Sequence, residues 1–145
     1  MESWLAKSDL PARPRRSSAS RTKVKTIMTR EVVQVPVDED LDSLARLMLD
    51  RGLSRVPVIG PNGELCGIVS KTDLVRDHQR SPPASRADRV MASPVLSLSD
   101  ECTVIEAARL MALQAVHGAP VLSSTGKLVG WLSALDILSW LSGLR

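Results

Sequence analysis

Residues 56–73 read VPVIGPNGELCGIVSKTD, and residues 119–136 read APVLSSTGKLVGWLSALD. Laid over one another at a spacing of 63, they match Pro57 with Pro120, Val58 with Val121, Gly63 with Gly126, Leu65 with Leu128, Gly67 with Gly130, Ser70 with Ser133 and Asp73 with Asp136. The same register runs back without a gap through Ala45-Arg46-Leu47-Met48 over Ala108-Arg109-Leu110-Met111, Val32 over Val95 and Met28 over Met91, thirteen identities in all. Self-similarity at one spacing over this length marks an internal duplication, and it governs the fold before any local preference does.

The unit spans 24–76 and recurs at 87–141, joined by a connector, 77–86, whose Asp77-His78-Gln79-Arg80-Ser81-Pro82-Pro83 reads as a loop. Residues 142–145 form a C-terminal end. Each copy opens on an apolar entry, Val33 and Val35 or Leu96 and Leu98, that alternates as a strand does. An amphipathic helix follows, with Leu41, Leu44, Ala45 and Met48, or Val104, Ala107, Ala108 and Met111, at i, i+3, i+4 and i+7. Thr103 and Glu106 have capping-box spacing, and Asp40 can cap the first copy. Short buried strands at 56–59 and 119–122 turn through Asn62-Gly63 or Thr125-Gly126 into strands at 65–69 and 128–132, each leading into a second helix at Ser70 or Ser133. One such unit has too little apolar surface to close a core, whereas two can cover each other. The expected fold is therefore α/β (α+β): two pseudo-symmetric β-α-β-β-α repeats packed through their sheets, with clefts between them.

Composition narrows the function classes. A chain of 145 residues that is 43% hydrophobic and 24% charged is long enough for a compact core and too apolar for wholesale disorder. Its net charge of +3 is unevenly placed, because residues 1–25 hold seven Lys or Arg against Glu2 and Asp9, while the remainder holds 12 against 14. Basicity thus belongs to residues 1–23, read as a flexible basic tail around Arg15-Arg16-Ser17-Ser18-Ala19-Ser20-Arg21 with Trp4-Leu5 as an apolar anchor. A nucleic-acid face is not indicated, and three Trp with no Phe or Tyr build no stacking platform. The longest nearly apolar stretch, 128–144, carries Asp136, so no membrane span is expected, and without an apolar leader the expected location is cytoplasmic. Cys66, read as part of a buried strand, and Cys102 lack metal or redox spacing. With no Gly-rich phosphate loop, no metal-ligand cluster and neither His beside a nucleophile, no enzyme and no required cofactor are expected.

This order of elements, with Met28 or Met91 at the entry, a Pro57-Val58 or Pro120-Val121 strand, a glycine turn and a closing Gly67-Ile68-Val69-Ser70-Lys71-Thr72-Asp73, resembles the cystathionine-β-synthase-type (CBS) domain. Two in tandem resemble a Bateman module. The resemblance implies a stand-alone, non-catalytic regulator that binds AMP, ADP, ATP or S-adenosylmethionine between the repeats, forms a homodimer and acts on an unknown effector protein.

It also implies the site. Ser70 at a helix start can bond a phosphate oxygen beside the positive end of the helix, and Asp73 can accept ribose hydroxyls, with Gly67 beside them. Gly130, Ser133 and Asp136 offer the same in the second copy. The phosphate partners are Arg55 in the first copy and His117 in the second, where Gly118 stands in place of a cation, next to Val56, Pro57, Ala119 and Pro120. The entry strands Thr26-Ile27-Met28 and Arg89-Val90-Met91 resemble the segment that flanks the adenine. Other readings stay open at this point: Ser-x-x-Asp is an ordinary capping box, Met28 and Met91 are ordinary core fillers, and the whole is a structural homodimerisation module without a ligand. The last helix, with Ala134, Ile137, Leu138 and Leu141 on one stripe and Leu135, Trp140 and Leu144 off it, is apolar around so much of its circumference that dimerisation through helices is expected; the alternative is that Trp140 and Leu144 cover the chain's own N-terminal arm.

Overall fold

The computed structural model describes residues 21–143. In chain order its elements are α1 (Val24–Ile27), β1 (Val35–Pro36), α2 (Leu41–Arg51), β2 (Arg55–Ile59), β3 (Leu65–Ser70), α3 (Lys71–His78), a 3-10 turn (Ala87–Arg89), β4 (Leu98–Ser99), α4 (Val104–Leu113), β5 (Gly118–Leu122), β6 (Leu128–Ser133) and α5 (Ala134–Ser142). The strands form two three-stranded sheets, β1-β2-β3 and β4-β5-β6. In each, the short entry strand runs parallel to the middle strand, which pairs antiparallel with the third. Register repeats as well: Val35 faces Val58 where Leu98 faces Val121, and Pro57 faces Ile68 where Pro120 faces Trp131.

Local chemistry explains the helices. On α2 the buried residues are Leu41, Leu44 and Met48, and Asp40 Oδ2 accepts the Ser43 N–H at 3.0 Å. On α4 they are Val104, Ala107 and Met111; Thr103 Oγ1 accepts from Glu106 N at 3.1 Å while Glu106 Oε2 accepts from Thr103 N at 3.0 Å. Gly63 and Gly126 both adopt φ 82°, the left-handed turn conformation that only glycine enters without strain.

Two hydrophobic cores result, and each takes in the leading segment of the other repeat. Val24, Ile27 and Met28 pack with Leu98, Val104, Met111, Val121 and Leu132, whereas Ala87, Val90 and Met91 pack with the core of Leu44, Met48, Val56, Val58 and Val69. Backbone bonds hold the exchange in place. The Val24 N–H donates to Cys102 O at 2.9 Å, and Thr29 and Trp131 exchange bonds at 2.9 and 2.8 Å. Ile68 and Ala92 do the same on the other side at 2.8 and 2.9 Å. The hairpins touch too, Leu65 N donating to Gly126 O and Leu128 N to Gly63 O.

Several expectations change. The segments around Thr26 and Arg89 are helical turns, not entry strands, because each turns an apolar edge into the opposite core. The loop expected from Asp77 begins later: Asp77 and His78 finish α3, and Asp77, buried, accepts the Ala84 N–H with both carboxylate oxygens at 3.1 Å. Thr22 and Lys23 already join the folded part, Thr22 O accepting from Val104 N, while the rest of the basic tail up to residue 20 and Leu144 lie outside the described residues. Cys66 is exposed, since alternate residues of β3 face away from the core. On α5 the inward residues are Ile137 and Trp140, and Leu135, Leu138 and Leu141 face outward, a rotation from the expected stripe.

Candidate functional site: two clefts between the repeats

The strands alternate, so Val56, Val58, Ala119 and Val121 enter the cores while Arg55, Pro57, Gly118 and Pro120 occupy the opposite faces. The segments after the exchanged arms pass beside these faces and leave two clefts. The larger, about 690 Å³, is walled by Thr29, Val32 and Val33, by Ser54, Arg55 and Pro57, and by His117, Trp131 and Ser133. The smaller, about 230 Å³, is walled by Ala92, Val95 and Leu96, by Ser70 and Asp73, and by Ile68 and Pro120. At the spacing of 63 these walls correspond: Thr29 with Ala92, Val33 with Leu96, Pro57 with Pro120, Ser133 with Ser70. The clefts are a pseudo-symmetric pair, each built from the entry segment of one repeat and the helix start of the other.

Both helix starts carry complete capping boxes. Ser70 Oγ accepts from Asp73 N at 3.1 Å and Asp73 Oδ2 from Ser70 N at 2.8 Å; for Ser133 and Asp136 the distances are 3.1 and 2.9 Å. The first amide of α3 donates to Ser54 O at 3.0 Å and that of α5 to His117 O at 2.8 Å. These groups therefore hold the helix starts against the strand entrances, whatever else they bind. The two acids differ in access. Asp73 lines the smaller cleft with its Oδ1 3.7 Å from Arg76 Nη1. Asp136 is 7% exposed and receives the Thr29 hydroxyl on Oδ2 at 3.5 Å, so Thr29 lies between it and the larger cleft.

Of the residues expected at the site, Arg55, Pro57, His117 and Ser133 line the larger cleft, and Arg55, Ser70, Asp73 and Pro120 the smaller. Others do not line either. Val56 and Ala119 are fully buried in the cores. Met28 lies against Gly130 and Met91 against Gly67, where a Cβ would come within 2.8 Å of the Met91 sulfur, so these four serve the packing between repeats. Thr26 is exposed on α1, and Thr29, three residues on, takes the position at the cleft. Sequence reasoning also missed Ala92, Leu96 and Trp131. The spacing of 63 holds a usable signal for the last: Trp131 stands where the first repeat has Ile68, and Gly118 where it has Arg55. A Cβ on Gly118 would lie 2.6 Å from Trp131 Nε1, so the indole occupies the space that a side chain at 118 would need. Arg55, expected to serve only the first copy, lines both clefts.

Among the described residues no group of three or more His, Cys, Asp or Glu could hold a metal ion, and no helix is long and apolar enough to cross a membrane. Burial pushes the Cys102 thiol up from its ordinary value, away from the thiolate that nucleophilic chemistry needs.

Fold and clefts together define an internally duplicated α+β module with two pseudo-symmetric sites between its repeats. The chain belongs to the CBS domain family, whose model matches residues 24–78 and 87–143. It is 30% identical over 131 residues to a CBS domain-containing protein of Dictyostelium discoideum, a match covering 81% of this chain and 90% of that one. Other relatives, enzymes among them, are longer, and this chain spans between 23% and 60% of those. Among solved structures, CBSX2 in complex with AMP is similar at a TM-score of 0.74 and 24% identity, covering 86% of this chain and 99% of that one. The CBS domain pair of protein MJ0100, in complex with 5′-methylthioadenosine and S-adenosyl-L-methionine, is similar at a TM-score of 0.69 and 19% identity, covering 86% and 98%.

Proposed function

We propose that this CBS pair is a regulatory module that binds an adenine nucleotide or adenosyl ligand, AMP, ADP, ATP or S-adenosylmethionine, and passes the event to an effector protein. The observation that carries this reading is the make-up of the larger cleft. Its apolar walls, Val33 and Pro57, suit a ring, while Ser133 at the start of α5 and the Arg55 guanidinium suit a phosphate or carboxylate. Its volume of about 690 Å³ falls among ordinary small-molecule sites. The complexes of the two structurally similar pairs with adenosine compounds support the same ligand class. Because both repeats wall each cleft, a ligand that contacts both favours one mutual arrangement over another, and that differential affinity is what a sensor requires. No chemistry on the ligand is part of this reading.

A second reading is a homodimerisation module without a ligand. It is favoured by the complete capping boxes, which satisfy Ser70, Asp73, Ser133 and Asp136 internally, and by the exposed leucines of α4 and α5.

Thermal unfolding with AMP, ATP and S-adenosylmethionine, followed by calorimetric titration of wild type, Ser133→Ala and Asp73→Ala, separates the two. A ligand at about a hundredfold excess over Kd stabilises by about 2.7 kcal/mol. Saturable stabilisation that weakens in one variant supports the sensor and identifies its cleft. No stabilisation across the panel leaves the assembly reading.

A further inference from the structure

Arg55 is the single Lys or Arg that lines either cleft among the described residues, and it lines both. The other titratable groups there are Glu31 and His117 in the larger cleft and Asp73 in the smaller. The position that pseudo-symmetry would give to a second cation holds Gly118, covered by the Trp131 indole. Trp131 and Gly118 also border both clefts, so Arg55 stands across a common margin from them and not deep inside one site.

The geometry points to Arg55 as a phosphate-binding residue shared by the two clefts, so that one chain holds one 5′-phosphorylated ligand at a time although it has two clefts. The inference rests on the nucleotide reading given above. A guanidinium offers a planar fork of donors that one phosphate fills with two parallel bonds. A second phosphate beside the first would find that fork used and a like charge next to it, and Glu31 or Asp73 adds to the repulsion. An unphosphorylated nucleoside meets neither obstacle. The two clefts thus compete for AMP and are independent for adenosine.

Calorimetric titration of the full chain with AMP and with adenosine tests this. The expected result is one AMP but two adenosine per chain, with AMP and adenosine affinities that differ by about tenfold or more through the charge-assisted bonds. Arg55→Gln should abolish that preference, and Arg55→Lys, which keeps the charge without the fork, should retain part of it. Both lie at an exposed strand entrance, and their unfolding midpoints verify the fold. The double variant Gly118→Arg/Trp131→Ile recreates in the second repeat the pair present in the first and should raise the AMP stoichiometry to two. Two AMP per wild-type chain, a single adenosine per chain, or an AMP preference that survives Arg55→Gln overturns the sharing while leaving the nucleotide reading intact. Failure of both compounds to bind overturns both.

Discussion

Gly130 and Gly67 are glycines because a methionine of the opposite repeat occupies the space a Cβ would need: Met28 at Gly130, and Met91 within 2.8 Å at Gly67. Met28 is buried, so it has little room to retreat. Gly130→Ala should therefore destabilise the protein by about 1–3 kcal/mol, the usual cost of overpacking a closed interior, and urea unfolding measures it directly. Gly126→Ala meets no neighbour and instead carries the strain of φ 82°, so only the first loss should be reduced by shortening Met28 in a double-mutant cycle. The cysteines separate by the same residue-level logic. Cys66 is exposed, whereas burial raises the Cys102 thiol, so iodoacetamide at pH 8 should label Cys66 first, at a rate about tenfold or more greater by peptide mass. The sequence displayed both glycines, both methionines and both Ser-x-x-Asp motifs. What it could not display was which methionine meets which glycine, because a repeat pattern is equally consistent with pairing inside a copy and across copies.

At the scale of elements, the exchanged α1 is the main departure from a linear reading. Helices α2 to α5 and the hairpins were legible because an eight- to eleven-residue helix displays its period and its cap, and a glycine turn its φ. A four-residue helix displays neither, so α1 read as a strand. Its attachment is apolar. Ile27 is 3% exposed inside the second core, and Ile27→Ala should cost about 2–5 kcal/mol and raise amide exchange in α4 and β6 before α2 and β3. The ion pair Lys25–Glu101, at 2.6 Å, joins the same arm to the loop before α4, but its side chains are 44% and 60% exposed. Lys25 holds the Glu101 carboxyl below its usual range, so the pair persists at neutral pH and is lost as pH falls through that lowered value. Molar salt at neutral pH screens it too. Neither treatment should change α1 exchange protection. An arm released by salt would mean that charge, not burial, holds the exchange.

At the scale of the molecule, the two repeats share a fold but not a surface. Where the first repeat carries Asp42, Asp50, Thr72 and His78, the second carries Ile105, Leu113, Leu135 and Leu141. Leu113 is 77% exposed, Leu135 74% and Leu138 59%, outward leucines carried by α4 and α5. Exposed leucines of this kind suit an isologous contact about a twofold axis, second repeat against second repeat. Sedimentation equilibrium should find a dimer whose dissociation constant rises about tenfold or more in Leu113→Asp/Leu138→Asp, because two charges per protomer would then be buried unpaired. Val75→Asp, at the position in the first repeat that matches Leu138, should leave the dimer unchanged; weakening there would place both repeats in the interface. The same helix links assembly to binding. Leu135 belongs both to the outward face of α5 and to the wall of the larger cleft, and α5 begins at Ser133, where the phosphate is proposed to sit. A ligand that draws on Ser133 would then act on the helix through which two copies are predicted to meet. By thermodynamic reciprocity, AMP should shift the dimer constant by the factor by which dimerisation shifts AMP affinity. Sedimentation with and without saturating AMP, set beside titrations above and below the dimer constant, measures both sides of that equality. A dimer constant indifferent to AMP would confine the ligand's effect to the geometry between repeats within one chain.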